Sequence, residues 1–321
     1  MSNTAWETLS NQAVATAGIV YFLALVVYLA EWASLRQPAA DRELVGAGAA
    51  VAEPEQPRTD RTAFLGRLGI LLTAIAVLAH LVGLVGRGMA ADPNRVPWGN
   101  MYEFTLSGTF VVGLLYVVLY RRFGLGWMGP LVVGFVVATL MVAVIWLYDA
   151  VAPLTEALNS PWLVIHVVSA VIATGAFTLG GIASIMYLVR MRAERRAEAA
   201  GRELSPWLAR VPQLDALDRL AYRVHAFAFP VWTFAVLITG PIWAHEAWSR
   251  YWNWDPKEVW AFITWVVYAG YLHARATAGW KGRKAALLAL VGMATLWFNF
   301  IGINYFSTTS QHAYAAERVV P

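Results

Sequence analysis

Tryptophan is concentrated in one short stretch of the sequence, residues 243–265, which holds six of the chain's 16 tryptophans. Membrane proteins carry Trp at both bilayer surfaces, but the predicted inner loops of this chain contain only scattered Trp. Several rings in one short loop therefore predict a flat, apolar binding platform, which suits a large planar ligand such as a porphyrin. The tryptophans of this segment are Trp243, Trp248, Trp252, Trp254, Trp260 and Trp265.

Three of the six histidines are predicted on the same side as these rings. His166 follows the predicted start of the fifth helix, His245 lies in the Trp-rich segment, and His312 follows the last helix. Neutral imidazole is a common ligand of haem iron, so these positions indicate axial ligation. Arg250 and Lys257 are placed to pair with haem propionates. The competing interpretation is that the histidines are hydrogen-bonded packing residues and that the two cations keep the loop hydrated.

His273 is predicted deep in the membrane. Fifteen residues of helix at about 1.5 Å each place it about 22 Å from the outer end of the seventh helix. Ionisable groups at such depth are costly and are candidates for function. A second, deeper haem site is therefore a hypothesis, with His225, His80 or a group on another protein as the second ligand.

Composition identifies the class of protein. The chain is 59% hydrophobic and only 14% charged over 321 residues, against about 25% charged in an ordinary soluble domain. This predicts an all-α polytopic membrane protein. The absence of Cys excludes a disulfide scaffold, a thiolate metal site, a CxxC pair and a Cys nucleophile. The net charge of +4 relates to membrane topology, and we expect no nucleic-acid partner.

A bilayer core of about 30 Å needs about 20 apolar residues of helix, and the sequence predicts eight such spans. Two domains are expected: residues 1–63, with the first span and a flexible cytoplasmic linker at 35–63, and a larger domain at 64–321. The predicted spans are 14–34, 64–86, 102–120, 127–148, 162–189, 224–244, 258–277 and 285–306.

The distribution of basic residues predicts the orientation. Of the 24 lysines and arginines, 19 fall in one alternating set of loops, which the positive-inside rule places in the cytoplasm. Both termini and the Trp-rich loop then face outward. Capping boxes at Asn100–Glu103 and Asp255–Glu258, and Pro161 after Ser160, predict rigid helix starts on that outer side. In the 190–223 loop, the spacing of Leu214, Leu217 and Leu220 predicts a short amphipathic surface helix.

Several of these segments resemble a known family. The segment WNWDPKEVW at 252–260 resembles the "WWD" signature of the haem-handling proteins of cytochrome c biogenesis. The resemblance extends over about three quarters of the chain and is closer to the CcsA/ResC type, often called CcsB in actinobacteria. Its other segments are PWGNMYEF at 97–104, SPWLVIH at 160–166, YLH at 271–273 and NFIGIN at 299–304.

The resemblance implies specific roles. His166 and His312 would hold haem iron from both sides, the Trp segment with Asp255 would contact the haem, and His273 would ligate a deeper haem. The implied substrate is haem b, delivered and attached to the CxxCH segment of apocytochrome c in the maturation route called System II. The chain would be a cytochrome c synthase (haem lyase) subunit, with no catalytic residue assigned beyond haem positioning.

The same resemblance implies the partners and the location. A ResB-type membrane protein, apocytochrome c and a thiol-reducing protein are the expected partners. The expected location is the bacterial plasma membrane, with an extracytoplasmic active face.

Two other classes of function compete with this interpretation. A haem-b electron-transfer membrane protein usually pairs histidines at matched depth on neighbouring helices, and no such pair is certain here. A secondary transporter commonly carries an inverted repeat and charged residues within its spans. The sequence shows no internal repeat and few charges in its spans.

Overall fold

The computed structural model describes residues 1–35, 56–153, 158–307 and 310, with only the backbone considered for 56–60. Every regular element in these ranges is helical, so the all-α prediction is confirmed. The α-helices, numbered here in chain order, are α1 Asn3–Ser34, α2 Gln56–Met89, α3 Met101–Phe123, α4 Gly129–Val142, α5 Pro161–Ala199, α6 Pro206–Arg210, α7 Leu214–Thr233, α8 Gly240–Trp248, α9 Pro256–Ala276, α10 Arg283–Trp297 and α11 Ile303–Phe306.

Seven of the helical stretches are long and apolar enough to cross a membrane, which makes the chain a multi-pass membrane protein. α9 occupies the place of the predicted span at 258–277, but it is not among the seven. The count of eight spans, and the side on which the termini lie, therefore stay predictions. The seven candidates are Asn3–Ser34, Arg61–Met89, Met101–Phe123, Leu125–Leu147, Pro161–Ala199, Leu214–Trp248 and Arg283–Phe306.

The helices pack around an aromatic interior. α1 lies along α2 and also contacts α4, α5 lies along α7, and α10 packs against both α9 and α5. Tyr28 and Tyr116 are fully buried, and their hydroxyl oxygens lie 3.2 Å apart. Phe177 of α5 stacks on Tyr268 of α9 with 3.7 Å between ring centroids. This interior supports the Trp-rich end of the molecule, called here the outer side.

Three helices that reach the outer side widen into π-turns. These are Ala143–Leu147 after α4, Phe234–Thr239 between α7 and α8, and Phe298–Gly302 between α10 and α11. A π-turn changes the partner of each backbone carbonyl, and such turns are frequent at functional sites. Two of the three contribute residues to the cavity described below.

The 190–223 region differs from its prediction. α5 continues to Ala199, and Leu214, Leu217 and Leu220 belong to the first turns of α7, which runs on into a membrane span. The prediction of a separate surface helix is wrong, because the apolar stripe of these leucines continues without a break. Leu217 is accordingly fully buried in the core. Most of the predicted 35–63 linker lies outside the described residues, and α2 already begins at Gln56.

Candidate functional site

A large apolar cavity opens at the outer side between α3, α5, α8, α9 and α10. It contains about 1380 Å³ of empty space, part of which is open to the surroundings. Its lining is mostly apolar and includes several aromatic side chains, which suits a hydrophobic ligand. Predicted site residues that line the cavity are His166, Trp243, Trp252 and Lys257. Threonines add polar atoms to its deeper walls, at Thr105, Thr109, Thr139 and Thr174.

His166 enters the cavity from α5 and is oriented by a backbone carbonyl. Ser160 caps α5 by accepting a hydrogen bond from the Trp162 N–H at 3.1 Å, and Pro161 occupies the first turn, as predicted. His166 Nδ1 lies 2.9 Å from the carbonyl oxygen of Ala235. A carbonyl can only accept, so Nδ1 carries the proton and Nε2 carries the lone pair. Metal-ligating histidines commonly have this arrangement, in which a hydrogen bond to the other ring nitrogen fixes the tautomer.

The π-turn between α7 and α8 makes this contact possible. Ala235 lies within that turn, and Gly240 follows it directly. A Cβ atom at Gly240 would lie 3.1 Å from His166 Cε1 and 3.0 Å from the Ala235 oxygen. The imidazole also stacks on Trp243, with 5.9 Å between ring centroids and 15° between planes. The ring is therefore held on three sides by groups whose positions depend on the π-turn.

The tryptophans of the Trp-rich segment do not form one flat platform, which corrects the prediction. Trp243 and Trp248 meet at 63°, and Trp252 and Trp254 meet at 83°. The reason is that the segment leaves α8, reverses direction and then enters α9, so successive rings point in different directions. Trp243 is buried in the cavity wall, Trp254 is 69% exposed, and Trp260 packs on Phe298 outside the cavity lining.

The start of α9 fixes the end of the Trp-rich segment. Asp255 accepts from the Lys257 N–H at 2.9 Å, and the Glu258 carboxylate accepts from the Asp255 N–H at 3.1 Å, so the predicted capping box is confirmed. The Ser310 hydroxyl donates to Asp255 at 2.7 Å. Lys257 Nζ donates to Asn304 Oδ1 at 3.1 Å. The end of the described chain is thus tied to the start of α9.

Lys257 brings a titratable positive charge to the cavity wall. Burial lowers the pKa of its ammonium group to about 8, and the adjacent Asp255 carboxylate opposes that shift. The group is therefore cationic at neutral pH and suited to an anionic part of a ligand.

A buried ionic cluster anchors the loop before α3, which forms another cavity wall. Asn100 caps α3 as predicted, but the Glu103 carboxylate does not return to Asn100. It instead pairs with Arg87 Nε at 2.9 Å and with Arg95 at 2.7 Å, and it accepts from the Gly99 N–H at 2.7 Å. Arg87 and Glu103 are both 0% exposed. The first predicted capping box is therefore half formed, because two arginines take its carboxylate.

Two polar atoms in the cavity wall lack a partner among the described residues. Trp252 Nε1 and Asn299 Oδ1 are buried and make no hydrogen bond there. An unsatisfied buried polar group costs about 1–3 kcal/mol, so both atoms are suited to meet a bound ligand or water. No role was predicted for Asn299 from the sequence, although an amide within an apolar span is itself a functional signal. It also missed the wall residues Trp232 and Trp297.

Other predicted site residues lie away from the cavity lining. Arg250 is exposed. His245 is exposed and stacks on Tyr251 with 4.3 Å between ring centroids. His312 lies outside the described residues, two positions after Ser310. Of the three histidines predicted around the Trp segment, the structure brings His166 into the cavity.

His273 lies at the opposite end of α9 and is exposed. Its neighbour Tyr271 is buried and faces His225, with 5.2 Å between ring centroids. Two residues correspond to a rotation of about 200° on a helix, so His273 points away from His225. His225 is fully buried, and Tyr268 also contacts its ring. A site shared by these two histidines is therefore not formed within the chain. His80 is also fully buried.

Comparison with known proteins defines the class. The family model described as cytochrome C assembly protein matches residues 98–310. This range contains α3 to α11 and all the described cavity-lining residues. The chain belongs to the cytochrome c assembly protein family.

Within that family the similarity is to proteins named cytochrome c biogenesis protein CcsA. The CcsA of Guillardia theta is 35% identical over 67% of this chain and 75% of its own length. The CcsA of Porphyra purpurea is 31% identical over 76% of this chain and 86% of its own, and that of Synechococcus sp. (strain JA-3-3Ab) is 29% identical over 86% and 93%. The resemblance to the CcsA type is therefore confirmed.

The fold also matches a solved structure, the cytochrome c haem lyase CcmF. The TM-score is 0.61 at 16% identity, and the match covers 94% of this chain but only 47% of that one. At this identity the likeness concerns the fold alone. It shows that the fold of this chain matches about half of a larger protein.

Proposed function

We propose that the protein delivers haem b and attaches it to apocytochrome c at the outer membrane face, as a subunit of a System II cytochrome c synthase. The single observation that carries this proposal is the orientation of His166. Its Nδ1 is held by a backbone carbonyl at the wall of the apolar cavity, and we propose Nε2 as the nitrogen that ligates haem iron. Membership of the cytochrome c assembly family and the CcsA similarity support the same conclusion.

The cavity wall fits a porphyrin in three respects. Its apolar and aromatic lining suits a hydrophobic ring. Trp243 and Trp252 offer aromatic faces, and the buried Trp252 Nε1 offers an unused donor among the described residues. Lys257 offers a cation to a propionate. We assign contact with haem to these residues first, and we keep Trp248, Trp254, Asp255 and Trp260 as supporting residues of the same segment.

His312 remains the proposed second iron ligand. Ser310, two residues earlier, is hydrogen-bonded to Asp255 at the start of α9. This contact between the end of the described chain and the Trp-rich segment supports the proposal. Arg250 is exposed on the same segment and is proposed to meet a propionate at the cavity mouth.

The chemistry is the addition of two S–H groups of a CxxCH segment across the two haem vinyl groups, which forms two thioether bonds. The protein's contribution is position: His166 and the aromatic walls hold the ring so that its edge meets the incoming thiols. The chain has no thiol of its own and forms no mixed disulfide with the substrate. We assign no general base.

The exposed position of His273 supports a role at an interface with another protein. Because His225 does not face it and His80 packs instead against Tyr21 and Phe110, we propose that a deeper haem ligated by His273 takes its second ligand from a partner. We propose that this partner is a ResB-type membrane protein in the bacterial plasma membrane. A thiol-reducing protein would keep the substrate cysteines reduced.

The test compares two histidines on the outer side. We expect His166→Ala to remove or alter the visible haem spectrum of the purified protein and to stop maturation of a reporter cytochrome c. His245→Ala is the matched control, since its ring stacks on Tyr251 and lies outside the cavity lining. A His166→Ala protein with the wild-type spectrum and normal maturation would show that the assignment is wrong. Quinol-linked redox activity without any effect on maturation would instead identify a haem-b electron-transfer protein.

A further inference from the structure

A second groove lies at the opposite, arginine-rich end of the molecule. It is formed where the end of α5 meets the chain that returns to α6, and it contains about 940 Å³ of space, part of it open to solvent. Three arginines, Arg192, Arg196 and Arg202, line it together with one acidic residue, Glu203. The balance of these charges gives the groove an excess of two positive charges at neutral pH.

Hydrogen bonds hold the walls of this groove in a defined arrangement. The chain turns back after α5 at Gly201, whose φ of 60° lies in the left-handed region that glycine readily adopts. The Arg202 N–H then bonds the Ala197 carbonyl at 2.9 Å. Arg190, which is 9% exposed, reaches from α5 to the carbonyl of Val211 and so ties the return segment to the helix. The arginines of the groove are therefore presented by two segments that are held together.

The position of the groove along α5 matches the lipid headgroups. α5 has 39 residues, which is about 58 Å of helix, far longer than the hydrocarbon core of about 30 Å. Val189, at the near edge of the groove, lies about 42 Å from Pro161 at the outer end of α5. If Pro161 marks the outer edge of a bilayer that is about 40–45 Å thick with its headgroups, Val189 lies in the opposite headgroup layer. Arg192, about 46 Å along α5, also lies at that level in a helix tilted by about 20°, and Arg196 lies just beyond it.

The lining of the groove contains both arginines and apolar residues, as a binding site for a phospholipid requires. Val189 is 37% exposed on the membrane side of the groove, while Leu204 and Leu208 lie deeper in its wall. A headgroup phosphate would meet the arginines, and the glycerol end of the lipid would meet Val189, while Leu204 and Leu208 pack into the protein core behind the groove. Basic pockets beside membrane helices bind anionic headgroups in this way.

We propose that this groove binds the phosphate of an anionic phospholipid in the leaflet on the arginine-rich side. The bound lipid would brace the end of α5 against α6. The test titrates the full-length protein in detergent with short-chain phosphatidylglycerol and counts bound lipids by native mass spectrometry. Each basic residue near the surface contributes about fivefold in affinity, so we expect R192Q/R196Q/R202Q to weaken binding about a hundredfold.

The control removes equal charge elsewhere on the same side. R121Q/R122Q/R283Q alters three exposed arginines that do not line the groove and should leave the affinity within about fivefold of wild type. Equal loss in both triple variants would overturn the proposal, since it would reflect charge density alone. Equal binding of phosphatidylcholine, or displacement of the lipid by inorganic phosphate at similar concentration, would also overturn it. Should the glutamine variant not fold, R192D alone, which reverses one charge, must still weaken binding at least tenfold.

Discussion

Replacing Gly240 by Ala tests whether the π-turn orients His166 for ligation. The new Cβ would lie 3.1 Å from His166 Cε1 and 3.2 Å from Nδ1. Carbon atoms pack comfortably at about 3.5–4.0 Å, so the ring must move away by at least about 0.4 Å. The added Cβ, Nδ1 and the Ala235 oxygen form a nearly equilateral triangle, so a movement of that size away from the Cβ stretches the Nδ1 to Ala235 hydrogen bond from 2.9 Å to about 3.1 Å, near the upper end of the usual range.

The expected effect is on haem binding rather than on folding. Losing the group that orients a ligating histidine typically costs about 10–100-fold in metal affinity. The φ of Gly240 is −60°, which Ala adopts readily, and Ala favours a helix over Gly by about 1 kcal/mol. Because Gly240→Ala weakens that contact without removing it, we expect haem to dissociate up to about tenfold faster, while the thermal midpoint changes little.

The assay follows transfer of haem to a haem-free scavenger by visible absorption. Gly270→Ala in α9 is the matched control, because no atom lies within 4 Å of its added Cβ. The double variant His166→Ala/Gly240→Ala should lose no more haem than His166→Ala alone, since Gly240 acts through that ring. Wild-type dissociation from Gly240→Ala, or equally fast loss from Gly270→Ala, would refute the reasoning.

Two further predictions concern charge. Glu103→Gln should destabilise the protein by about 3–5 kcal/mol, because it leaves Arg87 and Arg95 buried without their carboxylate. Glu7 is the control, because its carboxylate lies 3.9 Å from the same Arg87 but is 32% exposed. Glu7→Gln should lower the free energy of unfolding by under about 1 kcal/mol. Equal losses of unfolding free energy in the two variants, measured by chemical unfolding, would contradict this difference. The pKa of Lys257 at about 8 predicts that haem affinity falls as the pH rises from 7 to 9, because the ammonium loses its charge. Lys257→Gln should bind more weakly and abolish that dependence, and a wild-type protein with pH-independent affinity over this range would disprove the role of the charge.

The sequence determined the class of protein and the location of its site. Long apolar runs and the low charge content require membrane helices, because only helices satisfy every backbone group within lipid without a partner strand. Local signals also fixed the helix starts at Ser160 and Asp255, since a cap depends on residues a few positions apart. The family resemblance could be recognised from the sequence for the same reason, because each of its segments is short and contiguous.

The tertiary structure decided what these local signals could not. Glu103 was expected to complete the capping box that Asn100 begins at the start of α3. Its carboxylate instead pairs with two arginines, because Arg87 reaches it from another helix. The six tryptophans were expected to form one surface, but the reversal of the chain between α8 and α9 turns them apart. The tautomer of His166 is set by a hydrogen bond to the carbonyl of Ala235, 69 residues away. Ala235 lies in a π-turn that no local sequence pattern predicted. Nearby residues in the sequence were enough to make His166 a candidate iron ligand. The direction of the Nε2 lone pair of His166 depends instead on contacts that exist only once distant helices have packed.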